Sequence, residues 1–446
     1  MGTSVKITII GAGSAEFSAG IVRDLCVNPG LQGSHVVLMD IDEARLANVY
    51  KLASMLVEAI HANLSFTCTT DREEALKGAD FVINTALVGG HDWSEAQRSM
   101  GERHGYYRGA LLPDFPQMDF FLEVAQDIER LSPSAWLIQS ANPVFEGCTL
   151  MTRETNVKVL GLCHGHYGYR DIARVLGLER QHVTAKMKGF NHHIWMTDFR
   201  YKGQNAYPLL DEWIEKEAEA YWAKSPLSFM DVQMSRAAID QYKRFGLMPI
   251  GDTPRVAGWW YHTDLETKKR WYGEFGGFDS EIGWGMYLEL IDKNLQKIDR
   301  VVSGETVATE VFKPVQGGEQ IIPIIHSLVN DQEAMYQVNI PNKGQLVQGF
   351  PEDLVIECQG AVSGAGIHGV ATEPLPDKVA IGELAPRWIT AECAVNALRT
   401  NDPEYVLQFL LHDQRTRTLE QAQGLLDEWF ADPRNEKLAR RFGIKK

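Results

Sequence analysis

The sequence predicts an α/β protein: residues 1–170 form a doubly wound parallel sheet, and residues 171–446 a mixed α+β region packed against it. Three observations carry that expectation. Between Val5 and Cys163, short apolar runs alternate with segments of helical periodicity, the rhythm of a parallel sheet with crossover helices. The runs are apolar almost throughout, as strands covered on both faces must be. Past residue 170 the alternation stops without a Pro/Ser-rich linker, low-complexity tract or repeat, so the cleft between the two parts is the expected place for a site.

Residues 5–10 (VKITII) read as the first strand and 14–27 as a helix stopped by Asn28-Pro29-Gly30. Residues 35–40 (HVVLMD) follow as a second strand. The long helix expected at 42–63 carries Leu46, Val49, Leu52, Ala53, Leu56, Val57 and Ile60 near the 3.6-residue spacing of one face. Further strands are expected at Ser65–Thr69, 80–85, 135–140 and 157–163, then an adjoining pair at Val183–Phe190 and 194–201. Residues 208–241 are polar and helix-rich, and 251–283 read as an aromatic-rich loop region. An apolar run at 320–329 precedes an extended, turn-rich segment at 336–373. Helical periodicity closes the chain at 380–411 and 418–430.

Composition narrows the function. The 446 residues include 44 Lys+Arg against 59 Asp+Glu, a formal charge of −15, which argues against a nucleic-acid partner because phosphate binding needs clustered cations. No apolar run approaches the length of a membrane span. The opening MGTSVKITIIGAG lacks the basic region, apolar stretch and cleavage site of a secretion signal. The six cysteines have no framework spacing, so they read as reduced thiols and the expected location is cytoplasmic.

Four motifs could carry chemistry. Gly11-Ala12-Gly13-Ser14 joins the first strand to the first helix. Gly11 permits the tight turn, and Gly13 lets the backbone approach a pyrophosphate at the helix N-terminus. Asp40 ends the second strand, where a carboxylate would bind an adenosine ribose and disfavour a 2′-phosphate, so NAD is expected rather than NADP. The third glycine position of this Rossmann-type fingerprint is Glu16, which is expected to face away from phosphate. Cys163-His164-Gly165-His166 ends one strand and Asn191-His192-His193 follows another. Thiolate and imidazole there suit a first-row divalent metal with open positions, and no CxxC pair suggests a closed zinc site.

Asn142, in Gln139-Ser140-Ala141-Asn142-Pro143, stands at a strand's carboxyl end, where open α/β sheets bind ligands. In Pro249-Ile250-Gly251-Asp252-Thr253-Pro254-Arg255, Asp252 could act as a base and Arg255 could grip an anion. Each motif has a plainer reading: a glycine turn, a buried thiol with hydrogen-bonded histidines, an Asn-Pro turn, a capped helix start. The cluster Arg98, Arg103, His104 and Arg108 reads as a solvated helix face, or as local positive charge for an anionic substrate.

Taken in order, these pieces resemble glycoside hydrolase family 4, the NAD- and divalent-metal-dependent glycosidases. The resemblance runs from KITIIGAGSAEF through Ala-Asn-Pro at 141–143, Cys163-His164-Gly165, GFNHHIW at 189–195 and PIGDT at 249–253 to NIPNKGQLVQGFPEDLVIE at 339–357. Cys-His-Gly-His together with PIGDTPR resembles the α-galacturonidase branch. The resemblance implies a Rossmann-type domain with a C-terminal domain like that of lactate and malate dehydrogenases. It also implies a chemistry outside the two-carboxylate scheme. NAD+ oxidises the sugar C3 hydroxyl, a base takes the acidified C2 proton, the aglycone is eliminated, water adds, and hydride returns. A divalent metal, expected to be Mn2+, stabilises the enediolate.

By the same resemblance Cys163 and His192 match the metal ligands and Asn142 a substrate-binding asparagine. His164 stands where some members carry an aspartate proposed as acid. Asp252 stands at the place of the base, with Tyr242 and Tyr261 as rivals, while His166 and His193 stay unassigned. Arg98 and Arg255 are the candidates for holding a uronate carboxylate, on charge logic. The expected partner is a small uronic-acid glycoside, and the expected assembly a homodimer or homotetramer. Two competing readings are an α-glucosidase or α-glucuronidase of the same family, and a 2-hydroxy-acid dehydrogenase.

Overall fold

Each apolar run of the first part becomes a strand of one parallel ladder: β1 (Lys6–Ile10), β2 (His35–Met39), β3 (Ser65–Thr69), β4 (Phe81–Asn84), β5 (Trp136–Gln139) and β6 (Lys158–Gly161). The computed structural model describes residues 3–14, 17–107, 114–224, 230 and 232–444; Glu16 and Arg108 lie outside the described residues. The strands lie side by side in the order β3-β2-β1-β4-β5-β6, every neighbouring pair parallel. Chain order reverses beside β1, the switch point where such sheets bind ligands.

β1 shows why these runs are apolar. Ile7 and Ile9 pack with Val22 and Leu25 of the helix Ser18–Val27 and with Leu52 and Leu56 of the helix Glu43–Ile60. Ile10 on the opposite face meets Val124, Ala125 and Ile128 of the helix Phe115–Leu131. The long helix covers its whole apolar pattern but is shorter than the expected 42–63: Asp42 caps its start, accepting from the Ala44 and Arg45 N–H groups, and His61 ends it in the left-handed conformation.

The second part is antiparallel: β7 (Val183–Phe190), β8 (His193–Tyr201), β9 (Gln204–Asn205), β10 (Met248–Ile250), β11 (Ala334–Pro341), β12 (Val355–Ser363) and β13 (Gly366–Gly369). It continues the same sheet. β11 joins β6 at Asn339↔Gly161, and β12 joins β7 at Glu357↔Gly189. Among the described residues thirteen strands therefore form one sheet, parallel at one end and antiparallel at the other.

One expectation changes, and one apolar run acquires its element. The aromatic region at 251–283 is not loop throughout, for it holds the helices Thr253–Val256 and Leu265–Tyr272 and leads into the 22-residue helix Glu281–Val302. Its aromatics pack on one another around buried Tyr261 and Tyr272, which stabilises short helices that propensity alone would not. The apolar run at 320–329 is the helix Ile321–Asn330, whose Ile321, Ile322, Ile324 and Ile325 enter the same core as β1. All six cysteines are free, with Cys26, Cys148, Cys358 and Cys393 buried. No described helix is long and apolar enough to cross a membrane.

Candidate active site

Four strands present their carboxyl ends along one edge, in the spatial order β1, β4, β5, β6. Ile10 pairs with Asn84, Asn84 with Gln139, and Gln139 with Gly161. The Gly11 turn leaves β1, Asn142 follows β5, and Cys163 follows β6, so three motifs distant in sequence start from neighbouring points. Asn142 is exposed there. The Ser140 and Ala141 N–H groups, just ahead of it, donate to the Asn84 carbonyl at 3.0 and 3.1 Å.

At β1 the chain turns through Gly11 with φ +81°, and a Cβ there would lie 2.5 Å from the backbone of Ala86. The Gly11 and Ala12 N–H groups donate to the Met39 carbonyl at 3.0 Å, closing the turn on β2. Gly13 N–H donates to Asp40 Oδ2 at 2.7 Å, and Asp42 N–H to Asp40 Oδ1 at 2.9 Å. Each carboxylate oxygen keeps a lone pair for a further donor. Ser14 Oγ accepts from Phe17 N–H at 3.4 Å, where the helix Ser18–Val27 begins. A tight glycine turn, a helix N-terminus and a half-occupied carboxylate at the end of β2 are the parts that hold a dinucleotide.

The metal-binding candidates come from three separate segments. Cys163 Sγ lies 3.5 Å from His192 Nε2, and His192 Nε2 lies 3.1 Å from Asp252 Oδ2. The donor atoms of Cys163, His192 and Asp252 all fall within 4.8 Å of one another. Ligands about 2.0–2.3 Å from one ion have that spread. The mix of sulfur, imidazole and carboxylate suits a first-row divalent cation, and three ligands leave positions for substrate oxygens.

Local packing explains the convergence. Gly251 follows β10 with φ +63°, and a Cβ there would meet the Gly165 carbonyl oxygen at 2.4 Å, so the Asp252 turn and the Cys163 loop touch backbone to backbone. Gln233 clamps the turn, donating to the Pro249 carbonyl at 2.6 Å and accepting from Gly251 N–H at 2.8 Å. Thr253 Oγ1 accepts from Ile194 N–H at 2.8 Å and donates to the Ile194 carbonyl at 3.0 Å, tying the same turn to the start of β8 beside His192.

Electrostatics suits ligation better than proton abstraction. Burial would raise the Asp252 carboxyl, but the Arg255 guanidinium beside it holds it well below the usual carboxylate range. A carboxylate so stabilised is a ready ligand and a weak base. Burial lowers His192 below its usual value against the pull of Asp252, which favours the neutral, ligating imidazole. The Cys163 thiol is pushed well up, first by burial and then by the Glu357 and Asp252 carboxylates; a bound cation reverses that preference.

The structure treats the other candidates differently. His164 is exposed at the rim, its Nδ1 3.8 Å from Glu319 Oε1. Buried His166 has Nδ1 3.0 Å from the Cys163 carbonyl oxygen, and His193 has Nε2 3.9 Å from Glu383. Tyr242 donates to Asp211 and Tyr261 to Asp240, so neither hydroxyl joins the cluster. Arg98 is spent on its own helix, Gly90–Arg103, donating to Glu95 and Glu102. Arg255 donates to Asp252 and Asp279, so its charge is matched twice over. Both arginines that charge logic assigned to a substrate carboxylate are thus already paired with carboxylates of the chain itself.

Sequence reasoning also missed buried acids under the site. Glu146 pairs with Arg387, which packs over Phe145 at 4.9 Å. Glu357, inside β12, is 1% exposed, and burial pushes its carboxyl up to about 7. The signal for Glu357 was a charged residue interrupting the apolar run Leu354-Val355-Ile356-Glu357-Cys358.

A dinucleotide-type turn and a Cys-His-Asp cluster able to hold a metal stand on one edge of a dehydrogenase-like sheet, the outline of a nucleotide- and metal-using enzyme. The chain belongs to the family 4 glycosyl hydrolases: residues 6–178 match the model of that family, and residues 187–416 match the model of its C-terminal domain. It is 26% identical over 406 residues to an α-galacturonidase of Thermoanaerobacterium saccharolyticum, covering 84% of each chain. It is 26% identical over 459 residues to an α-glucosidase of Erwinia rhapontici, covering 92% of this chain and 94% of that one.

Among solved structures, a 6-phospho-α-glucosidase from gut microorganisms, in complex with NAD and Mn2+, superposes with a TM-score of 0.80 at 17% identity, covering 98% of this chain and 99% of that one. Lactate dehydrogenase from Eimeria maxima shares the fold at a TM-score of 0.53 and 13% identity, covering 90% and 96%. The expected fold, a Rossmann-type sheet continued by a dehydrogenase-like C-terminal part, is the fold observed.

Proposed function

We propose that this glycosidase cleaves α-linked galacturonides with NAD at the Gly11 turn and a divalent ion, Mn2+ by preference, at Cys163, His192 and Asp252. The observation that carries the reading is the convergence of those three donors beside the strand ends that bear Gly11 and Asn142. The relative named α-galacturonidase supports the choice of sugar. The solved relative in complex with NAD and Mn2+ supports the cofactors.

Gly11 and Gly13 bring the backbone against the pyrophosphate, and Asp40 takes the adenosine ribose. Asn142 binds a sugar hydroxyl. Cys163, His192 and Asp252 hold the ion, with Asp252 a ligand rather than the base that its sequence position suggested. Arg255 keeps Asp252 ionised and aimed. His164, exposed at the rim, is placed to hold a proton for the leaving oxygen. Bound NAD supplies the acceptor and later donor of hydride, and the ion supplies positive charge against the sugar's oxygens.

A second reading, a neutral α-hexoside, is favoured by one observation: Arg255 is neutralised by Asp252 and Asp279. A panel of nitrophenyl α- and β-glycosides and uronides, with NAD+ and Mn2+ supplied or omitted, decides both points. The proposal expects release from the α-galacturonide only when both are present, with no net NADH. Turnover by protein stripped of metal and nucleotide sinks it. Preference for a neutral hexoside selects the second reading, and accumulating NADH points to a dehydrogenase.

A further inference from the structure

β7 and β8 are joined by a two-residue turn, Asn191-His192, because Phe190 pairs directly with His193. His192 sits in that turn with φ +110°, a conformation that non-glycine residues rarely adopt. Such a conformation persists only where its surroundings over-determine it. On the β8 side Thr253 grips both backbone groups of Ile194. On the β7 side the grip is a side chain: Asn191, 2% exposed, donates through Nδ2 to Glu357 Oε2 at 3.2 Å.

Glu357 is itself held. Gln337 Nε2 donates to Glu357 Oε1 at 3.3 Å, and Gln320 fixes the Gln337 backbone, accepting from its N–H and donating to its carbonyl at 2.9 Å each. Glu357 also occupies the register position opposite Gly189, at the joint between β12 and β7. On β11 the neighbouring amide, Asn339, donates to the Gly161 carbonyl at 3.3 Å, two residues ahead of Cys163. One buried polar chain thus runs beneath the segments that carry the Cys163 and His192 donors. A carboxyl group buried this deeply costs stability unless its oxygens are hydrogen-bonded, as those of Glu357 are to Asn191 and Gln337.

We infer that Glu357 is a positioning residue for the metal centre: by accepting from Asn191 it locks the turn that aims His192 Nε2 at Cys163 and Asp252. The inference rests on the reading that those three residues hold the ion. Its logic is that of outer residues that orient a ligating histidine, whose loss typically weakens metal binding by about 10–100-fold.

The test titrates Mn2+ into full-length protein stripped of metal, followed by the signal of free Mn2+, beside metal-free thermal unfolding. E357Q sets a new N–H2 group against those of Asn191 or Gln337 and is expected to weaken Mn2+ binding at least about ten-fold. N191D/E357Q exchanges donor and acceptor, and is expected to return affinity to within about three-fold of the parent. If E357Q does not fold, E357A, which removes the acceptor without adding a donor, carries the same expected loss. Single variants that bind within about three-fold of the parent, or a folded double variant without recovery, overturn the inference. C163S separates the two claims. If it still binds Mn2+ like the parent, the metal assignment fails and the role of Glu357 falls with it; if C163S abolishes binding while E357Q does not weaken it, only the role of Glu357 fails.

Discussion

The Gly11 turn and the Cys163–His192–Asp252 cluster stand on the same sheet edge but are built in opposite ways. Gly11, Gly13 and Asp40 come from one β-α-β unit, and the Gly13–Asp40 bond spans 27 residues. Cys163, His192 and Asp252 come from the end of β6, the β7–β8 turn and the end of β10, and they meet only because Gly251 lets two loops touch. The first is a local device that a short segment specifies. The second exists only once parallel and antiparallel parts join in one sheet, so damage to either should spare the other.

The largest expected effect is at the cluster. C163S or H192A should lower glycosidase activity by about 10²–10³-fold or more and abolish Mn2+ binding, with NAD binding unchanged by fluorescence titration. Chelation should do the same reversibly. Loss of NAD binding in C163S would show that the two devices are not independent. Next comes the turn. A side chain at Gly11 would run into the Ala86 backbone, so Gly11→Val should abolish NAD binding while Mn2+ binding persists. Asp40→Ala should cost about 1–2 kcal/mol of NAD affinity and narrow the margin against NADP, read from the two dissociation constants.

Arg255→Lys forfeits the two-pronged grip on Asp252 and Asp279, and is expected to cut turnover by about ten-fold, equally for uronides and neutral hexosides. A selective loss on uronides would return Arg255 to the role of carboxylate clamp. The smallest effect lies behind it. Lys268 is buried, donates to the Asp279 carbonyl at 2.8 Å, and is lowered by burial to about 8. Between about pH 8 and the ordinary lysine value the unfolded chain binds the extra proton, so this group makes stability rise with pH there. Lys268→Met should flatten that rise in pH-dependent denaturant melts relative to the parent.

Much of the fold was legible because parallel strands buried on both faces leave an unbroken apolar signature, as in Val5–Ile10 and His35–Met39. The helix Ile321–Asn330 was less so, because a short apolar run looks alike as a buried strand or a buried helix. At the site, each residue of the Gly11 turn and the metal pair was named from its motif. What periodicity and spacing did not reveal was partnership: Arg255 with Asp279, Asn191 with Glu357. Charge logic assigns a lone arginine to a substrate, whereas in the folded chain nearby carboxylates claim it first.

By itself the sequence determined the strand-turn-helix that suits a dinucleotide, the residue types able to ligate a metal, and the family to which the chain belongs. Those are properties of short segments, set by backbone freedom at Gly11, apolar periodicity and side-chain chemistry. Only the tertiary structure decided that Asp252 meets Cys163 and His192, and that Glu357 lies under the turn bearing His192. The Cys163–His192, His192–Asp252 and Asn191–Glu357 contacts join residues 29, 60 and 166 positions apart, and which pairs meet depends on how the antiparallel strands dock beside β6, which no local pattern encodes.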